Sequence, residues 1–189
     1  ISLGLVGSEM CIRDRIFGPQ NVISLSTATA WSTYAADLDG DGDMDALSAS
    51  IADNKIAWYQ NDGSGAFGPQ HIISTLSVDP RVINSGDLDG DGDMDVLSAS
   101  FAVDQIVWYQ NDGSGAFGPQ QFISTQADGV QSVCVADLDG DGDMDVLSAS
   151  TNDDKIAWYE NDGSGVFGLQ QVITTQADGA WSVCCLLYT

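Results

Sequence analysis

The sequence predicts an all-β fold assembled from repeated four-stranded units, and three observations carry that reading. The segment DLDGDGDMD occurs at 37–45, 87–95 and 137–145, a spacing of 50 residues. Periods of about 20–50 residues are the mark of solenoids, propellers and arrays. The chain also holds 21 Gly, and of its 28 acidic residues only Glu9 and Glu160 are Glu. Asp and Gly favour turns whereas Glu favours helices, so a helical protein is excluded. Finally, the apolar runs are short and bounded by turn chemistry, as strands are.

Each unit reads as four strands. The first precedes the acidic loop, around 131–136 in the third unit, and the second leaves that loop at 45–50. The third is 55–60, ended by the Gly-rich turn 61–65, and the fourth is 66–74 with Phe67-Gly68 and Ile72-Ile73. Ile56, Ala57, Trp58 and Tyr59 place apolar groups on both faces of the third strand, which implies sheets stacked on one another. Four-stranded sheets repeated radially make a β-propeller, usually of about 4–8 blades. The fold class is therefore all-β, a β-propeller fragment with complete blades at about 30–74, 80–124 and 130–174. Partial strands are expected at 17–24 and 180–184. Such a fragment closes a ring only by dimerising or by borrowing the remaining blades of the same propeller; a linear stack is the other arrangement.

Both ends break the repeat. Residues 1–15 and 185–189 can be encoded by one DNA element read in opposite directions, resembling a sequencing-library adapter. They are read as an adapter translation rather than native protein, which confines the repeats to 16–184. Cys11 and Cys185 fall in those ends. Cys134 and Cys184 lie one repeat apart, poorly placed to pair, and are expected to be buried strand thiols.

The acidic loop carries the chemistry. In D-x-D-x-D-G-x-x-D, alternating carboxylates along a tight turn converge on one centre. Asp37, Asp39 and Asp41 supply side-chain oxygens, Asp43 its backbone carbonyl, and Asp45 closes the sphere. The same roles fall to Asp87, Asp89, Asp91, Asp93 and Asp95, and to Asp137, Asp139, Asp141, Asp143 and Asp145. Hard oxygen donors in this number suit Ca²⁺, giving about three expected sites. An EF-hand would need a bidentate Glu at loop position 12, where Ser48 stands, so that alternative fails.

The unit resembles the FG-GAP or VCBS repeat of integrin-α-like propellers and of many secreted bacterial proteins. DLDGDGDMD, the apolar strand after it, NDGSG and the Phe-Gly pairs at 67–68, 117–118 and 167–168 carry the resemblance. It implies calcium in some blades and an extracellular or cell-surface home.

Antiparallel strands place the acidic loop and NDGSG on one face of the propeller. The opposite face carries what varies: Trp31, Arg81, Gln131 and Trp181 share one repeat position there. Constant scaffold on one side and varied chemistry on the other suits a ligand face; packing between blades is the competing role for Trp31 and Trp181. Trp58, Trp108 and Trp158 are expected in the core. Asp53, Asp104, Asp153 and Asp154 are expected to be solvated turn residues.

A net charge of -23, with 5 Lys+Arg, excludes nucleic acid and anionic membrane surfaces as partners. No nucleophile, phosphate-loop or metalloprotease motif appears, and His71 reads as an exposed strand residue, so no enzyme activity is expected. The expected function is a calcium-binding propeller module of a secreted or surface bacterial protein, mediating adhesion or the binding of an extracellular protein or glycan. The alternative is the accessory propeller of an extracellular polysaccharide-degrading enzyme.

Overall fold

The computed structural model describes residues 20–184. They form twelve strands in three antiparallel sheets, and the only helical element among them is a 3-10 turn at Phe101–Val103. The first sheet holds β1 (Ala30–Ala36), β2 (Asp45–Ser50), β3 (Lys55–Tyr59) and β4 (His71–Ser74) in that spatial order. The second holds β5 (Pro80–Gly86), β6 (Asp95–Ser100), β7 (Gln105–Tyr109) and β8 (Gln121–Ser124). The third holds β9 (Val130–Ala136), β10 (Asp145–Ser150), β11 (Lys155–Tyr159) and β12 (Gln171–Thr174). First strands pack side by side, β1 on β5 and β5 on β9, so the sheets are blades arranged around their innermost strands. This is a segment of a β-propeller.

The stacking follows from the residues. Strands β6 and β10 are buried along their whole length, as expected of strands covered on both faces. Between the first two blades lie Leu38, Leu47, Ile56 and Trp58 from one side, and Ile83, Val96, Val107 and Tyr109 from the other. Leu88, Leu97, Ile106 and Trp108 meet Val133, Val146 and Tyr159 in the same way between the second and third blades.

The β2–β3 hairpin and its two copies turn at Asn54, Asp104 and Asp154, all with left-handed φ between 53° and 57°. Asn and Asp tolerate that conformation best after Gly. Their side chains then reach the next blade's entry loop. Asn54 Oδ1 accepts from the Asp79 amide at 3.1 Å, and Asp104 and Asp154 Oδ1 accept from Gly129 and Gly179 at 2.9 Å. Asp104 and Asp154 are therefore ties between blades, not the solvated turn residues expected. Asp53 and Asp153 also have partners, Lys55 at 2.9 Å and Lys155 at 2.7 Å.

Three further expectations are corrected. The fourth strands are shorter than 66–74: Phe67 makes only an isolated bridge with Asn61, and the ladder resumes at His71 opposite Trp58. Pro69 and Pro119 have no N–H for that ladder, although Leu169 shows the same break. Among the described residues neither flanking segment forms a strand. Residues 20–24 contain only bends, and 180–184 lack a ladder partner although Val183 exchanges hydrogen bonds with Ser132 Oγ at 3.2 Å. Residues 17–19 of the first segment, with 1–15 and 185–189, lie outside the described residues. Cys134 is half-buried and Cys184 exposed, so neither is the buried thiol expected.

Candidate metal centres and the opposite face

Each acidic loop is wound by its own carboxylates. In the first, Asp37 accepts from the Gly40 and Gly42 amides at 2.9 and 3.0 Å, and Asp41 from the Asp43 amide at 2.9 Å. The second and third loops repeat these bonds with Asp87 and Asp91, and with Asp137 and Asp141. The last Asp of each loop is a buried staple. Asp95, with 0% exposure, accepts from the Leu88 amide at 2.9 Å and the Asn111 amide at 2.8 Å. It thereby joins the acidic loop to the Gly-rich turn after the third strand. Asp45 and Asp145 do the same with Leu38 and Asn61, and with Leu138 and Asn161.

Carboxylate oxygens converge within 4.8 Å in all three loops. The groups are Asp37, Asp39 and Asp41; Asp87, Asp89 and Asp95; and Asp137, Asp139 and Asp145. Asp45, Asp91 and Asp141 lie in the same loops but outside these clusters. The carboxylates of Asp43, Asp93 and Asp143 lie against Gly63, Gly113 and Gly163 of the adjoining turn. Gln60 and Gln110, not anticipated from sequence, donate through Nε2 to Asp39 and Asp89.

The clustering is electrostatically uphill on its own. Loss of hydration foremost, with Asp89 and Asp91 adding charge repulsion, pushes the Asp95 carboxyl up to about 7 despite its two amide donors. Asp45, Asp89, Asp139 and Asp143 are raised too, each chiefly by desolvation, with neighbouring loop carboxylates adding to it. A cation would reverse that balance, and an all-oxygen donor set fits a hard one. These three Asp-rich clusters can hold metal ions.

The Gly-rich turn also binds the preceding blade. Asn111 Nδ2 donates to the Leu38 carbonyl at 2.8 Å, 73 residues away, and Asn161 Nδ2 to Leu88 at 2.7 Å. Gly115 and Gly165 lie flat on the Trp58 and Trp108 rings, so closely that a β-carbon would overlap them. Phe167 meets Trp108 edge-on at 6.5 Å between centroids. Trp58 and Trp108 are core residues as expected, while Trp158 is half-buried because no described turn lies over it.

On the opposite face the structure brings two of the four expected residues together. The Arg81 guanidinium lies 3.7 Å from the Phe101 ring centre and 5.4 Å from that of Trp31, and pairs with Asp79 at 3.1 Å. Gln131 is half-buried on β9. Trp31 and Trp181 are 53% and 68% exposed. His71 is exposed and stacks on Trp58 at 4.9 Å.

A family model described as FG-GAP-like repeat matches residues 37–98, 87–148 and 137–186. The chain belongs to the FG-GAP-like repeat family. No curated protein matches it. Among solved structures it is similar to an Agrocybe aegerita lectin described for specific recognition of non-reducing terminal N-acetylglucosamine. The likeness has a TM-score of 0.61 at 23% identity, and covers 79% of this chain and 40% of the lectin. It bears on the fold, and the FG-GAP chain spans well under half of that structure. Among the described residues no helix is long and apolar enough to cross a membrane.

Proposed function

We propose that these FG-GAP repeats form a calcium-stabilised, non-catalytic propeller module of a secreted or cell-surface protein, which binds a glycan or protein partner through its variable face. The observation that carries the reading is the convergence of three carboxylates in every acidic loop, at the edge opposite that face. Asp37, Asp39 and Asp41, Asp87, Asp89 and Asp95, and Asp137, Asp139 and Asp145 would hold the ions. A bound ion supplies charge neutralisation, and the chain's own staple residues Asp45, Asp95 and Asp145 carry that order into the second strands. Affinities of about 10⁻⁴–10⁻³ M, usual for extracellular modules, would leave such sites empty at cytosolic calcium, which supports an exported protein.

On the variable face, the exposed indoles of Trp31 and Trp181 offer stacking surfaces suited to sugar rings. Because the similar lectin is described as recognising terminal N-acetylglucosamine, that sugar is the first probe. Calcium titration followed by a glycan array tests both halves. Chelation is expected to lower the melting temperature, and Trp31→Ala to reduce array binding while leaving the melt unchanged. A melt indifferent to calcium removes the first half. An array blank on every glycan leaves the protein partner as the reading of the second.

A further inference from the structure

We infer that Glu160 sets the cation affinity of the third acidic loop, which takes a hard divalent ion more tightly than a glutamine at that position would permit. The inference rests on the calcium reading of the loops and sharpens it. The loops themselves are identical, DLDGDGDMD at 37–45, 87–95 and 137–145. What differs is the residue just after the third strand, 21 positions beyond the second Asp of each loop. It is Gln60 in the first blade, Gln110 in the second and Glu160 in the third.

The two glutamines direct their amides at the loop. Gln60 Nε2 donates to Asp39 Oδ2 and Gln110 Nε2 to Asp89 Oδ2, and both carboxylates belong to the clusters. Each bond occupies a carboxylate oxygen and brings the positive end of an N–H dipole beside the cluster. Ionised Glu160 has no N–H to donate. Its Oε2 accepts instead from Gln171 Nε2 at 2.9 Å, while Asp139 keeps the loop bond from the Asp141 amide at 3.2 Å. Glu and Gln have side chains of equal length. The reach that brings Gln110 onto Asp89 therefore brings the Glu160 carboxylate beside Asp139 once a cation offsets their repulsion. Glu160 and Gln171 are both exposed, so water replaces their bond at little cost. Charge count and rigidity tune oxygen-donor sites. Glu160 adds a unit charge and removes the opposing dipole, two effects of one sign. The order lost with one exposed hydrogen bond is the smaller term.

The third blade also differs in having no described blade after it, so the test exchanges the residue within a blade. Calcium titration of the full chain, followed by amide NMR, reads the loops separately. The Gly42, Gly92 and Gly142 amides each donate to the first Asp of their own loop and report its occupancy. Glu160→Gln is expected to raise the calcium dissociation constant of the third loop about fivefold at low salt. Gln110→Glu is expected to lower that of the second loop by a similar factor, with the other loops unchanged. Both effects shrink at about 0.15 M salt, where charges are screened beyond about 8 Å. Gln110→Ala removes the donor without adding charge, and is expected to tighten the second loop less than Gln110→Glu. Constants that stay put or move the opposite way overturn the inference. So does Gln110→Ala tightening the loop as much as Gln110→Glu. A wild-type chain whose loop amides ignore calcium overturns the calcium reading as well.

Discussion

The Gly-rich turn holds neighbouring blades together through one side chain, and the repeat supplies its own control. Asn111→Ala removes Nδ2 from two carbonyls, Leu38 of the preceding blade at 2.8 Å and Met94 of its own at 3.0 Å. Asn111 is 1% exposed, so water cannot replace the lost donor. Each orphaned buried carbonyl costs about 1–2 kcal/mol, for a total of about 3 kcal/mol. In a chain of this size that is a fall in melting temperature of roughly 6–12 °C. Asn61→Ala is the comparison in the first blade, although its Oδ1 also accepts from the exposed Gly63 and Gly65 amides at 3.3 and 3.2 Å, which water can replace. Its Nδ2 reaches only Met44 at 3.0 Å, and the residue is half-buried, so the loss should stay near about 1 kcal/mol. Asn161→Ala, with bonds to Leu88 and Met144, should behave as Asn111→Ala does. Urea unfolding of the three variants at constant calcium gives the comparison. Equal losses at Asn61 and Asn111 would refute the argument, because the cross-blade bond would then contribute nothing.

Gly115→Ala should cost more than Gly65→Ala by about 1–3 kcal/mol in the same assay, since both have positive φ but only the first places its β-carbon on a Trp ring. Calcium at about ten times its dissociation constant should add about 1.4 kcal/mol per site, so three filled sites raise the melting temperature by roughly 10 °C in calorimetry. Asp89→Ala should remove one site from the calcium stoichiometry measured by titration calorimetry, leaving the clusters of the first and third loops. In chelator the pH dependence should run opposite to that of a salt-bridged carboxylate. Asp95 is raised from 3.8 to about 7 on folding, so the folded state holds the extra proton between those values. Stability is then greatest below about pH 4 as far as this group is concerned and falls as pH rises through 7. A chelated melt that rises from pH 5 to pH 8 would contradict the burial of Asp95.

Much of the architecture is legible in the chain because it is written three times over. The second strand at 45–50 and the third from Lys55 lie where turn chemistry and apolar runs place them. The acidic loops converge as the Asp spacing implies, since alternate residues in a tight turn face one centre. The partition of labour among those Asp residues was not legible. Spacing treats Asp37 and Asp45 alike, yet burial turns Asp45 into an acceptor for two main-chain amides. Asn111 gave only the hint that its turn recurs unchanged, because its decisive partner lies on another blade. Asn54, Asp104 and Asp154 could have been found from their tolerance of positive φ, but not their bonds to the following loop.

The pentapeptide Lys-Ile-Ala-Trp-Tyr shows where the division falls. It occurs at 55–59 and again at 155–159 and forms the third strand of its blade both times, because apolar alternation and the preceding hairpin are local properties. Trp58 is 5% exposed, under the turn of the second blade, whereas Trp158 stays half-buried. Local sequence set the strand, its register and the loop that gathers carboxylates. Whether a given face becomes core, metal staple or open surface was decided by what packs against it, since desolvation depends on neighbours that the local sequence does not contain.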